Sequence, residues 1–204
     1  MEITLIEKKG KYKYMVYAEY RFLFWLTWKE INFWKLSIGE EITKEKYVQI
    51  VKETVLPRAK NKAILYLQRM DRTEHEVRKK LERECFLPDI IEEVINYLRE
   101  YTYIDNVRYI ENFIYTKRKS YSTKWIEMRL LQKGIKREDI QLYMDKDFEE
   151  DEAIQKAIYK KVRGKTVLSR EEYNKIYAYL YRKGFKANSI RKAMDMHCSS
   201  LISG

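Results

Sequence analysis

Cysteine and histidine are almost missing from this chain: Cys85, Cys198, His75 and His197 are the whole supply in 204 residues. With no second cysteine pair and no Cys/His cluster, neither a disulfide framework nor a zinc site is expected, and His197 beside Cys198 reads as an accident of the tail. Long apolar runs are missing too. The longest, Phe22 to Leu26, falls far short of the ~20 residues of a spanning helix, and the first residues carry no secretory n-region or h-region. No membrane partner and a cytoplasmic location are therefore expected.

Catalytic motifs are equally scarce. Gly164-Lys165-Thr166 imitates the end of a phosphate-binding loop, but Tyr159 stands where the earlier glycine is required, so the backbone cradle is absent. Ser/His/Asp chemistry would have to use His75 or His197, and His75 falls in the first turn of a capped helix, where it is solvated. The run Asp145 to Glu152 holds many carboxylates, yet nothing marks two of them as inward-facing. The sequence predicts a protein that is not an enzyme and takes no cofactor and no metal.

What the chain does contain is 45% hydrophobic, 36% charged and 14% aromatic residues, the composition of a soluble fold with a real core in one large domain or two to three small ones. Its formal charge is +11, unevenly placed: residues 1–56 carry 10 Lys/Arg against 8 Glu, and the remainder 32 against 23. Such an excess attracts polyanions by phosphate neutralisation and counterion release, without separating DNA, RNA and acidic protein surfaces.

The opening residues are β-favouring. Ile3-Thr4-Leu5-Ile6 and Tyr12 to Tyr17 flank Lys8-Lys9-Gly10-Lys11, a hairpin signal, and Phe22 to Thr27 forms a third strand after a turn at Ala18-Glu19-Tyr20. Gly39 marks a turn before a helix capped by Thr43. From Pro57 the pattern becomes helical and repeats without a gap. Val77, Leu81, Cys85, Phe86, Ile91 and Ile95 recur as Ile126, Leu130, Gly134, Ile135, Ile140 and Met144, then as Ile176, Leu180, Gly184, Phe185, Ile190 and Met194, at intervals of 49 and 50 residues.

Each copy reads as helix, left-handed turn and helix, because apolar residues four apart share a helix face and glycine suits the turn. Thr73 with Glu76 and Ser169 with Glu172 are capping-box patterns, Ser122 is an N-cap, and Pro88 suits a first helical turn. Further helices at Lys60 to Met70, Asn106 to Lys119 behind Asp105, and Glu149 to Arg163 complete three helices per module. The sequence thus predicts a mainly α chain. Its expected divisions are a β-hairpin-rich segment over 1–56 and three tandem three-helix, helix-turn-helix-like repeats over 57–104, 105–147 and 148–204, in an elongated array.

This arrangement resembles the RecX family, bacterial regulators of the RecA recombinase, over nearly the whole chain. Four stretches carry the likeness: Ala63-Ile64-Leu65-Tyr66-Leu67 leading to Arg72-Thr73-Glu74-His75-Glu76-Val77; Tyr103-Ile104-Asp105; Leu130-Leu131-Gln132-Lys133-Gly134-Ile135; and Tyr181-Arg182-Lys183-Gly184-Phe185. Leu36 to Ile42 is similar to the N-terminal extension of many Gram-positive members. Cys85 and Thr102 stand where glycine is common in the family, and Asn106 replaces an Asp, departures confined to caps and turns. The resemblance implies binding to the RecA filament on single-stranded DNA and restraint of recombination and DNA repair, chiefly by inhibition.

The residues offer three cationic candidates. Lys117, Arg118, Lys119, Lys124, Arg129, Lys133, Lys136 and Arg137 form a 21-residue stretch opposed only by Glu127, with Arg129, Lys133, Lys136 and Arg137 spaced for one helix face. Lys156, Lys160, Lys161, Arg163, Lys165 and Arg170 follow the acidic run and could equally pair within their module. Arg182, Lys183, Lys186, Arg191 and Lys192 are a third set. Against each stands the ordinary reading of a solvated helix face. Tyr115, Tyr121, Trp125, Tyr177, Tyr179 and Tyr181 interleave with these cations and could stack on bases, although aromatic residues at helical spacing more often belong to a core. Single-stranded and duplex DNA are the expected ligands and a monomer the expected state; a helix-turn-helix transcription regulator and a pure protein scaffold are the alternatives.

Overall fold

The structure, a computed structural model, describes residues 1–144, 150–162 and 168–199. It divides into two units, Met1–Asp105 and Asn106–Gly204.

The first unit opens with an antiparallel meander, β1 (Ile3–Lys9), β2 (Lys13–Ala18) and β3 (Arg21–Leu26), in that spatial order. Ile6 pairs with Val16 and Val16 with Phe24, the β-branched and aromatic pairs that stabilise a sheet. Thr27 does not extend β3. It is the N-cap of a short helix, α1 (Trp28–Phe33), and closes a capping box with Glu30. The Thr-x-x-Glu signal was masked by the apolar run before it, and an apolar strand that ends on a capping residue is read one residue too long.

Helix α2 (Lys44–Ile50) starts at Thr43 as expected, then continues through a π-helical turn, Val51–Val55, into α3 (Leu56–Leu67). Pro57 has no N–H and its ring clashes with a carbonyl four residues back, so a regular α-helix would break there. Widening by one residue, with Leu56 N–H donating to the Val51 carbonyl, lets the helix pass the proline instead. The boundary drawn at 56/57 falls inside this continuous run. The foreseen helix from Lys60 to Met70 begins earlier and stops at Leu67, leaving Met70 exposed rather than on the apolar face.

Helices α4 (Glu74–Arg83) and α5 (Pro88–Glu100) complete the first module, with the Thr73–Glu76 box and Pro88 in the expected places. Val16, Phe24, Trp25, Ala59, Ala63, Val77, Leu81, Ile91, Ile95 and Leu98 belong to one buried cluster, so sheet and module share a core. Each fully buried aliphatic side chain contributes roughly 1.5–3 kcal/mol. Polar contacts add to this core around Trp25. Its indole N–H donates to the Glu84 carbonyl (2.8 Å), Lys13 and Arg58 sit over its ring at 4.6 and 4.2 Å, and Arg58 donates to its carbonyl.

The second unit holds α6 (Asn106–Lys117), α7 (Thr123–Gln132) and α8 (Arg137–Tyr143), then α9 (Glu150–Val162), α10 (Arg170–Arg182) and α11 (Ala187–Ser199). Ile110, Ile126, Leu130, Ile135 and Ile140 form one core, and Ile154, Ile158, Ile176, Leu180, Phe185, Ile190 and Met194 another. The aliphatic positions of the repeat seen in the sequence are therefore buried, while Cys85 and Met144, the latter one residue past α8, are half-buried. Gly134 and Gly184 occupy the left-handed region at φ +77 and +86, and Cys85 takes the same conformation at φ +63. Among the described residues no helix is long and apolar enough to cross a membrane.

Candidate nucleic-acid interface

The charge excess belongs to the second unit. Residues 106–204 hold 22 Lys/Arg against 13 Asp/Glu, a net of +9, whereas residues 1–105 hold 20 against 18, a net of +2.

Around the second module, Lys117 ends α6 half-buried beside the Phe113 ring, and Arg118, Lys119 and Lys124 are exposed. Arg129 is exposed on α7, lies over the Trp125 ring at 5.1 Å and donates to Gln132 Oε1 at 2.9 Å. The expectation that Arg129, Lys133, Lys136 and Arg137 share one helix face is not met. Gly134 at φ +77 ends the helix, so Lys133 is the C-cap of α7, Lys136 the N-cap of α8 and Arg137 the first residue of α8. The four cations ring the elbow of a helix-turn-helix, and Arg137 lies 3.6 Å from Glu127, the one acid of the stretch.

In the third module Lys160 and Lys161 are exposed at the end of α9, with Lys161 4.5 Å from the Tyr179 ring. Arg163 and Lys165 lie outside the described residues, as do Gly164 and Thr166. Arg182, Lys186 and Arg191 are exposed. Lys183 differs from its neighbours. Its ammonium donates to the Ser120 carbonyl at 2.9 Å and sits 3.8 Å from the Tyr121 ring, while its own carbonyl accepts from Ser122 N–H at 3.1 Å. Burial lowers its pKa below the usual lysine value, and the charges of Lys160 and Lys117 act in the same direction.

These contacts join the second and third modules. Ser122, itself buried, caps α7 through Trp125 N–H, and Thr123 N–H donates to a Glu150 carboxylate oxygen at 2.8 Å, where the helix N-terminus favours negative charge. Gly184 fits against this corner so closely that a Cβ there would lie 2.5 Å from Ser122 Oγ and 2.8 Å from Trp125 Cβ. Beside the joint is a cleft of about 640 Å³ whose lining includes Lys119, Lys156, Lys160, Lys183, Tyr159 and Tyr179.

The aromatic candidates divide. Tyr121 and Trp125 stack on each other at 3.8 Å and pack on the second core, and Tyr177 and Tyr179 pack on the third, whereas Tyr115 and Tyr181 are exposed. Sequence reasoning weighed Tyr159 only as a missing loop glycine and not as a binding residue, yet it is 75% exposed in a basic cleft. It also passed over a groove of about 450 Å³ in the first unit, lined by Lys62, Arg69, Lys80 and Arg83 with Leu65, Tyr66 and Glu76. Those cations are dispersed among an equal number of acids in residues 57–105, so no local charge run announces them.

Comparison with known proteins follows the same lines. The RecX family model for the first three-helix domain matches residues 59–98, and that for the third matches residues 149–194. Regulatory protein RecX of Caldanaerobacter subterraneus subsp. tengcongensis is 30% identical over 193 residues, covering 93% of this chain and 95% of that protein. Regulatory protein RecX of Clostridioides difficile is 28% identical, with 95% and 94% covered. Among solved structures, RecX from Lactobacillus salivarius matches with a TM-score of 0.53 at 28% identity, over 70% of this chain and 96% of that one. A second regulatory protein RecX structure matches with a TM-score of 0.56 at 22% identity, over 95% and 98%. Repeated buried positions, left-handed elbows and full-length similarity converge, and the chain belongs to the RecX family.

Proposed function

We propose that this protein binds the RecA filament on single-stranded DNA and restrains recombinase activity, acting as a cytoplasmic monomer without catalytic chemistry of its own. The observation that carries the reading is the concentration of a +9 net charge in the second unit, with Arg118, Lys119 and Lys124 exposed around the turn into α7 and Arg129, Lys136 and Arg137 exposed toward the elbow at its other end. A filament on DNA is a polyanion of long range, and cations spread over consecutive modules can neutralise several phosphates or acidic side chains at once. Repetition adds avidity, since modules tethered in one chain meet successive binding sites at high effective concentration. Relatives named as regulators rather than as enzymes support the same role.

A sequence-reading helix-turn-helix is favoured less by the second module. Such readers place the N-terminal residues of their second helix against base edges. Here α8 spans only Arg137–Tyr143 and carries Glu138 and Asp139 in its first turn, which repel a phosphate-lined groove.

The test is RecA-driven strand exchange together with DNA-dependent ATP hydrolysis. Substoichiometric wild-type protein is expected to slow both, and the double variant Lys133→Glu/Arg137→Glu to need about tenfold more protein, the loss of roughly 1.4 kcal/mol. Unchanged recombinase activity with wild type overturns the reading. A wild-type effect retained in full by the double variant moves the contact away from the elbow.

A further inference from the structure

The cleft at the joint of the second and third modules does more than separate two cores. Lys119, Lys156, Lys160 and Lys183 line it together with His197, and among the described residues no Asp or Glu does. Among the described residues, Lys156 is the cleft lysine ion-paired with a carboxylate, that of the mostly exposed Glu152, whose charge also acts on Lys119. Lys183 is held in place by Ser120 and Tyr121 and cannot swing away to relieve its neighbours. Like charges fixed around a concavity leave positive potential that an entering anion would relieve, and the more so where burial has already cost one of them its hydration.

Size and shape narrow the anion. A volume of about 640 Å³ is that of a small-ligand site and admits one nucleotide, while a duplex is far too wide to enter. Tyr159, 75% exposed at the same cleft, offers a ring face for an unpaired base. We infer that this cleft seats a phosphate of single-stranded nucleic acid between Lys119, Lys160 and Lys183, with the neighbouring base stacked on Tyr159. The inference deepens the filament reading, on which it rests for the strand that would be presented, and it is tested with no recombinase present so that the two fail separately.

The experiment is fluorescence anisotropy of a labelled oligothymidylate titrated with the full chain over a range of salt. Wild type is expected to bind. Lys160→Glu should weaken binding about tenfold and flatten the log–log salt slope by about 0.7, the share of one phosphate contact on a single strand. Tyr159→Ala should weaken it about tenfold with the salt slope unchanged, as loss of stacking requires. Lys52→Glu, an equal change of net charge on an exposed position of the first unit, should change affinity less than twofold. Absence of wild-type binding, equal losses in the Lys160 and Lys52 variants, or displacement of the strand by poly-glutamate as effectively as by unlabelled oligothymidylate would each overturn it. All three positions are exposed, and circular dichroism checks that every variant is folded.

Discussion

Thr102 and Cys85 are two of five non-glycine residues in the first unit that sit in a backbone conformation their side chains resist. Thr102 has φ +57 and Cys85 φ +63, both in the left-handed region, where a Cβ meets the neighbouring carbonyl. Thr102 is exposed and β-branched, so it gains little from packing in return. Replacing Thr102 with Gly should stabilise the protein by about 1 kcal/mol, visible as a raised urea midpoint at unchanged slope. Cys85→Gly should gain much less, because the thiol packs against the core of the first unit. Glu84 makes the opposite kind of contribution. Hydrogen bonds from Lys13 and Lys80, both 2.8 Å, hold its carboxyl down to about 2 from an ordinary 4.5, and its side chain is only 17% exposed. A depressed carboxylate stabilises the fold above its unfolded pKa and ceases to do so as pH falls through the folded one. The first unit should therefore lose about 1.5 kcal/mol, after allowance for solvent screening, between roughly pH 4.5 and 2. Glu84→Gln should lose it at pH 7 and flatten that acid limb, as chemical denaturation at several pH values would show.

Among the helices and turns, Gly184 separates conformation from contact. Gly10 has φ +76 with nothing near its missing Cβ, whereas Gly184 has φ +86 and two atoms within 2.8 Å of where that Cβ would be. Gly10→Ala should cost about 1 kcal/mol for the backbone alone. Gly184→Ala should cost about 3 kcal/mol or more, since Ser122 and Trp125 must also give way, and thermal unfolding of the two variants checks the difference. The φ of Gly184 was legible in the sequence, because an apolar-Gly-apolar elbow recurs with fixed spacing. The close approach was not, since it depends on a residue 62 positions earlier that no periodicity links to it. The same distinction runs through the rest of the chain. Val77, Leu81, Ile126, Leu130, Ile176 and Leu180 are buried as their four-residue spacing predicts, and Thr73, Ser122 and Ser169 cap the helices they were expected to cap. The helix through Pro57 was hidden because proline usually marks a boundary and only local π widening removes the conflict. The basic cleft was half-visible: Lys119, Lys160 and Lys183 were each suspect as cations, but their assembly around Tyr159 is tertiary.

At the scale of the molecule, charge and core divide along the same line. The first unit is nearly neutral and contains a core that runs from Ile3 to Ile104, while the second carries the cationic excess on two smaller cores. The sheet cannot be detached from the first module. Phe24 and Trp25 point to opposite faces of β3, and the former packs on Tyr47 of α2 while the latter packs on Phe86, beyond the end of α4. A fragment of residues 1–56 lacks Phe86, Glu84 and Arg58 and so exposes the Trp25 ring to water and removes the protein acceptor of its indole N–H. A fragment of residues 1–105 keeps the whole cluster. The shorter piece should be unfolded in buffer by circular dichroism, and the longer one should unfold cooperatively with a heat-capacity change near 1.4 kcal/mol/K, the scale of about 100 residues. If residues 1–56 alone gave a cooperative transition, sheet and module would be independent folding units after all. The continuous helix through Pro57 would then be a connector rather than part of one core.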